Sequence, residues 1–338
     1  MRWVLTADLQ FDEQVRYSKG LTSEGITTRL ADQIECFRWI VEVARVHDCK
    51  GLVVIGDVFD SRTRLAIPVL DRVCREFSAS RSQFDEIHIV AGNHDSWLRS
   101  PTVNSLQVFR GVAQVHETPS LRGSFAFVPW TADEDAHAAA IKSLADPGRI
   151  LCTHVLLEGV AVSGGFPISG LLPGHWLSIF LGDVHDPRDV VDESGARIAR
   201  YVGAPMQHHF GDAGGTRGVF VLDDDTCGEE FVQNPVSPRF HSLLGADADD
   251  VDGGDVRSVD FVRTDSRELV ERLSGACAVV ESMAQLDDVE FQPRMVLTAS
   301  EREEDRTVVR KYLAHVGVTS QHVEDLAVQI LTEARGEL

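Results

Sequence analysis

Seven residues share one setting in this sequence: Asp8, Asp57, Asn93, His94, His154, Asp183 and His185 each end or follow a short apolar run. The segments read Ala7-Asp8-Leu9-Gln10, Gly56-Asp57-Val58-Phe59-Asp60, Gly92-Asn93-His94-Asp95, Cys152-Thr153-His154 and Gly182-Asp183-Val184-His185. Carboxylate, amide and imidazole groups together can hold divalent ions, and an imidazole beside them can move a proton near neutral pH. Asp183 and His185 are two positions apart, so an extended backbone puts both side chains on one side. That suits gripping one cation or two adjacent ones; it equally suits a polar turn closed by Asp186-Pro187. Each of the other segments also has a plain reading. Asp8 can be a helix cap or turn residue, His154 a satisfied polar group at a strand end, and Gly92-Asn93-His94-Asp95 a turn. Five such segments in succession favour a single site, because sites in α/β sheets form just beyond the carboxyl ends of strands.

The elements that must position these residues are legible as alternating patterns. Strands are expected over residues 3–6, 51–55, 86–91, 124–129, 150–154, 177–181, 200–202 and 219–222. Helices are expected over 30–46, 66–77 and 133–144, the first with Ile34, Phe37, Ile40, Val41 and Ala44 on one face. This alternation indicates an α/β architecture. Residues 244–255 are acidic and glycine-rich and read as a linker. Beyond it, strands over 258–262 and 294–298 and helices over 266–283 and 300–316 form a small second α/β unit. A last amphipathic helix, 320–334, carries Val323, Leu326, Ala327, Ile330, Leu331 and Ala334 on one face.

Composition narrows the class. The 338 residues include 53 acidic and 32 basic ones, a net charge of −21, which argues against coating nucleic acid by bulk electrostatics. It leaves room for a local basic rim. No apolar run approaches a membrane span, and the start, Met1 to Phe11, reads as a first strand rather than a signal peptide. Six scattered cysteines without a C-x-x-C pair suggest reduced thiols in a cytoplasmic protein.

The ordered set D-x-Q, GDxxD, GNHD, a lone histidine and G-D-x-H resembles the calcineurin-like metallophosphoesterases. Within them the likeness is to the SbcD-type double-strand-break-repair nucleases, including their tailed-phage recombination-endonuclease relatives. Arg29-Leu30 at the first long helix, Tyr201-Val202-Gly203-Ala204-Pro205 and Phe210-Gly211-Asp212 add to it, as does the small unit after the linker. The resemblance implies a four-layer sandwich of two mixed sheets flanked by helices over residues 1–243. It further implies a capping domain over 256–316 and a C-terminal amphipathic helix over 317–338. By carry-over, Asp8, Gln10, Asp57 and His185 would surround one metal, and Asp57, Asn93, His154 and Asp183 the other, with Asp57 bridging. His94 would be the catalytic histidine and Asp60 its orienting carboxylate. Mixed oxygen and imidazole ligands suit Mn²⁺, with Mg²⁺ possible. Two departures stand out: Gln10 and Asp183 occupy positions where the family has histidine. Both shift the expected metal preference.

The resemblance also implies partners: DNA, an SbcC-type SMC-like ATPase and a second copy of the chain, with exonuclease action on duplex ends and endonuclease action on single strands. Arg16, Lys19, Arg29, Arg62, Arg64 and Arg99 are the expected DNA contacts, because they gather in the loops facing the site. The sequence also accommodates two rivals. One is a metallophosphoesterase for nucleotides or small phosphoesters; the other is a catalytically weakened DNA-binding subunit.

Overall fold

A computed structural model describes residues 1–97, 100–160, 165–244, 256–273 and 279–282. The expected linker, most of the expected capping domain and the C-terminal helix lie outside the described residues. The first sheet contains β1 (Arg2–Thr6), β2 (Gly51–Ile55), β3 (Glu86–Val90), β6 (Gln114–His116), β13 (Gly218–Asp223) and β14 (Glu229–Gln233). A short hairpin of β4 (Ser96–Trp97) and β5 (Ser100–Asn104) stands apart from it. The second sheet contains β7 (Ser120–Arg122), β8 (Phe125–Val128), β9 (Asp146–His154), β10 (Trp176–Gly182), β11 (Arg188–Val191) and β12 (Arg197–Tyr201).

Strand order is β14-β13-β1-β2-β3-β6 in one sheet and β11-β12-β10-β9-β8-β7 in the other. In each, four parallel strands form the body: β1, β2, β3 and β6, and β8, β9, β10 and β12. Antiparallel strands close both edges of the second sheet and one edge of the first, whose other edge is the parallel β6. The parallel strands therefore deliver their carboxyl ends together, as the sequence reading requires.

Two-residue periodicity explains the layering. Trp3, Leu5, Val53 and Ile55 point into the core between the sheets, where they meet Phe125, Phe127, Ile150 and Cys152. Their neighbours Val4, Leu52 and Val54 point the other way, onto α1 (Thr28–Val46) and α2 (Ile67–Ser80). Ala126, Val128 and Leu151 likewise turn outward beneath α3 (Glu134–Leu144). The result is helices, sheet, sheet, helix: the expected four-layer α/β sandwich. The α1 face runs Leu30, Ile34, Phe37, Ile40, and Phe37 stacks on Phe77 of α2 with ring centroids 4.6 Å apart. Thr27 caps α1 by accepting from the Leu30 amide, and Asp133 caps α3 from the Ala136 amide.

A third sheet is built from β15 (Phe240–Leu243), β16 (Phe261–Thr264) and β17 (Val279–Ser282), with α4 (Arg267–Leu273) beside them. Its first strand precedes the acidic segment and pairs in parallel with β16 after it. The helix expected over 266–283 is described over Arg267–Leu273, and within its expected span Val279-Val280 instead join the sheet, as β-branched residues do. Among the described residues, no helix is long and apolar enough to cross a membrane. Cys36, Cys49, Cys74, Cys152 and Cys227 are free thiols.

Candidate metal centre

The two sheets meet at one point near their carboxyl ends. His154, the last residue of β9, donates from Nδ1 to the carbonyl of Ile55, the last residue of β2, at 2.8 Å. A carbonyl only accepts, so that bond fixes the proton on Nδ1 and leaves Nε2 facing outward. Nε2 lies 3.1 Å from Asn93 Oδ1 and 3.5 Å from both Asp57 Oδ1 and Asp183 Oδ1. One atom each of Asp8, Asp57 and His154 falls within 4.8 Å of the others, and all three residues are buried. The site is therefore the end of both parallel sheets, and the fold alone brings its residues together.

Backbone shape aims the carboxylates. Asp8, Gln10, Asp57 and Asp183 have φ of 52°, 45°, 54° and 90°, in the left-handed region that non-glycine residues rarely adopt. All four lie within four residues of the carboxyl end of a strand, and three of them, Asp8, Asp57 and Asp183, stand around His154. Gly56 has a φ of 83°, and a Cβ there would sit 2.0 Å from His154 Nδ1. A Cβ on Gly92 would sit 2.1 Å from Asp57 Oδ1. These glycines let ligand side chains approach the backbone.

Asp95 pins the two loops of the first sheet. Its carboxylate accepts from the amides of Asp57 (2.9 Å), Val58 (3.0 Å), Phe59 (3.3 Å) and Gly92 (3.0 Å). Sequence reasoning gave it no role, although it ends the Gly92-Asn93-His94-Asp95 turn. Asp57 in turn accepts the His94 amide at Oδ1, 2.9 Å away. His94 Nδ1 approaches the Asp60 backbone carbonyl at 2.5 Å, while the Asp60 carboxylate stands at 3.5 Å. Asp60 thus orients the His94 ring through its main chain first.

His185 is held differently. Its Nδ1 lies 3.1 and 3.3 Å from the two carboxylate oxygens of Asp212. Asp212 also accepts the His208 amide at 2.8 Å, and His208 donates from Nε2 to the Asp8 carbonyl at 2.8 Å. His208 is buried, with its ring against the backbone of Asp8. His209 is exposed and accepts the Gly211 amide through Nδ1. His185, His209 and Asp212 also bring one donor atom each within 4.8 Å. Arg217 Nη2 lies 3.5 Å from Asp212, however, so a cation bound by that trio would face a guanidinium.

Electrostatics follow from this crowding. Burial pushes the Asp8 carboxyl up to about 7, against the pull of His154 and His185. Burial alone would lower His154, but Asp57 and Asp183 outweigh it and raise the ring well above its usual value. Burial also raises Asp57, yet the field and hydrogen bond of His154 leave it below the ordinary range. Three carboxylates around one imidazole form a place where positive charge is stabilised. Asp8 Oδ1 is buried without a partner. An orphaned carboxylate oxygen, two further carboxylates, an amide oxygen and an imidazole nitrogen are the donor set of a divalent ion, and they fit one.

Gln10 stands beside the centre with its backbone engaged: its amide donates to Asp57 O at 2.9 Å and its carbonyl accepts from Gln33. A cleft of about 630 Å³ opens against Asp183, His185, Asp186, Arg188, Asp212 and Arg217.

The expected DNA contacts divide. Arg62 and Arg64 are exposed, and no ion pair engages either guanidinium among the described residues. Arg16 is exposed over the Tyr17 ring, and Lys19 donates to the Ser258 carbonyl at 3.0 Å. Arg99 lies outside the described residues. Arg29 is a correction. It is fully buried, donates to Gln14 Oε1 and to the Gln207 carbonyl, and lies 5.4 Å from the ring centroids of both Phe240 and Phe261. Burial lowers its guanidinium to about 10. The small sheet covers the helix face that carries Arg29, so this residue fastens that sheet to the sandwich and cannot touch nucleic acid.

No protein-family model matches the sequence, and no curated protein is similar to it. Among solved structures, the chain is similar to a dimetal phosphatase from Danio rerio at 15% identity and a TM-score of 0.40, over 65% of this chain and 91% of that one. It is similar to an archaeal phosphodiesterase at 11% identity and 0.36, over 69% and 100%, and to Pseudomonas putida nuclease MPE at 13% and 0.32, over 68% and 87%. Likenesses this faint carry no argument about chemistry; the residues of the centre do.

Proposed function

We propose that this chain is a dinuclear-metal phosphodiesterase that cleaves DNA, working as an SbcD-type nuclease. The observation that supports this best is the convergence of Asp8, Asp57, Asn93, His154 and Asp183 at the joined ends of two sheets, with His185 beside them. Two divalent ions bound there, Mn²⁺ the best match to the donor set, would supply Lewis acidity toward a phosphodiester.

Asp57 sits centrally enough to serve both ions. It reaches His154 on one side and the His94 amide on the other. His94 is the proton-transfer group of this reading. With Nδ1 on the Asp60 carbonyl, its Nε2 is left to carry a proton to the departing oxygen. Its side chain is 27% exposed, so substrate can reach it. Arg62 and Arg64 on the loop following β2, and Arg188 at the start of β11, are exposed cations suited to phosphate contacts along a strand. An SbcC-type ATPase and a second copy of this chain are the partners the reading carries.

The test compares hydrolysis of end-labelled duplex DNA, single-stranded DNA, bis-p-nitrophenyl phosphate and nucleotides, with and without Mn²⁺. His94→Ala serves as the control. Metal-dependent DNA cleavage that falls by about 10²-fold or more in His94→Ala supports the proposal. Turnover of nucleotides alone would assign the centre to small phosphoesters, and no turnover of any ester would overturn it.

A further inference from the structure

The two histidines of the centre are oriented by different means. His154 leans on a main-chain carbonyl that the sheet itself fixes. His185 leans on a side chain: its Nδ1 faces both oxygens of Asp212, at 3.1 and 3.3 Å. A carboxylate accepts only, so the proton sits on His185 Nδ1, and Nε2 is the ring atom left to coordinate.

Asp212 is itself tightly held. It is 6% exposed, takes the His208 amide at 2.8 Å, and lies 3.5 Å from Arg217 Nη2. Arg217 is equally buried, and its Nη1 donates to Asp186 Oδ1 at 2.8 Å. His208, whose amide Asp212 receives, carries its own ring to the Asp8 carbonyl. One carboxylate thereby fixes the imidazole of His185 and, through His208, the backbone that presents Asp8.

We infer that Asp212 is a positioning residue for the ion held between His185 and Asp8. This rests on the dinuclear reading above. The same ion has Gln10, a neutral amide that adds no charge, among its expected ligands beside the bridging Asp57. A carboxylate behind His185 makes the imidazole a stronger donor and so offsets what Gln10 does not supply. The His154 ring is set by the Ile55 carbonyl and not by Asp212. The direct hold of Asp212 is on His185, so its main effect falls on the ion beside that ring.

The experiment titrates Mn²⁺ into the full chain and into Asp212→Asn and Asp212→Glu, reading stoichiometry and affinity by calorimetry and Mn²⁺ electron paramagnetic resonance. Wild type is expected to hold two ions. Asp212→Asn is expected to keep one at wild-type affinity and to bind the other about 10–100-fold more weakly, with Asp212→Glu recovering most of the loss. Two ions bound by Asp212→Asn as tightly as by wild type would overturn the inference alone. So would a Glu variant no better than the Asn variant. A wild type that holds no ion would overturn the dinuclear reading together with it. If thermal melting shows Asp212→Asn unfolded, ¹⁵N resonances of the His185 ring in Mg²⁺-loaded wild type decide: a protonated Nδ1 supports the inference and an unprotonated Nδ1 overturns it.

Discussion

Two groups of buried histidines sit in this molecule and lean opposite ways. His154 is enclosed by Asp57, Asp183 and Asn93, and although burial lowers it, the carboxylates raise its ring well above the ordinary value. His88 on β3 and His116 on β6 are as deeply placed, but among rings. His116 lies 4.0 Å from the Phe127 ring centroid and 5.1 Å from that of His88, and His88 lies 5.6 Å from that of Trp3. Burial lowers both, His116 to about 3. The same side chain at similar depth is driven to charge in one place and away from it in the other. Depth alone therefore does not mark a site. Concentrated opposite charge does, and only one of the two regions has it.

The carboxylate-ringed region breaks most completely at Gly56. Alanine there would have to keep a φ of 83° while its Cβ displaced the His154 ring from 2.0 Å away. Left-handed backbone costs an alanine about 1–2 kcal/mol, and a ligand ring shifted by about an ångström costs about 10²-fold or more in kcat. Gly56→Ala is expected to lose at least that much turnover of bis-p-nitrophenyl phosphate at saturating Mn²⁺. Wild-type turnover in a folded Gly56→Ala protein would mean that the His154 half does not matter to the reaction.

The aromatic-ringed region makes a smaller and pH-dependent prediction. His116 accepts or donates at both nitrogens, to Ser120 Oγ at 2.7 Å and His88 at 3.0 Å, and stays neutral when folded. Its folded value near 3 lies below the unfolded value near 6.5, so the unfolded chain binds more protons throughout that interval. Stability is thus full above about 6.5 and falls as the pH drops toward 3. From pH 7 to 5 the loss due to His116 is about 2 kcal/mol. His116→Phe keeps the stack on Phe127 but removes the proton. Urea melts at the two pH values should show that much less acid destabilisation in the variant, and equal losses would clear His116.

How much of this was readable beforehand follows from what carries each feature. The central strands announced themselves because both faces are buried, giving runs such as Leu52-Val53-Val54-Ile55. The edge strands did not: Ser120–Arg122, Arg188–Val191 and Glu229–Gln233 are short, polar and half solvated, and only pairing with a neighbour makes them strands. At the centre, residues at the ends of central strands were nameable from type and order. Asp95 and Asp212 were not assigned roles, because their partners are main-chain amides and a histidine that only the folded chain brings near. Arg29 was misjudged for the same reason. Its charge suggested solvent, and nothing local reveals that Phe240 and Phe261, more than two hundred residues on, close over it.

The mildest change sharpens the contrast from inside the charged region. Gln10 is 7% exposed, its backbone φ is 45°, and its side-chain amide makes no hydrogen bond among the described residues. Histidine tolerates the left-handed region better than most residues, so Gln10→His should fold without added strain. An imidazole in place of an amide oxygen gives the His185-side ion a stronger ligand and should tighten it by about tenfold, moving preference toward softer ions such as Zn²⁺. The His154-side ion should be unaffected, since its ring is set by Ile55. Competition between Mn²⁺ and Zn²⁺ in the variant reads this directly. If both ions tighten together, the two halves of the centre are not separately built, and Gln10 lies closer to Asp57 in function than its place after β1 implies.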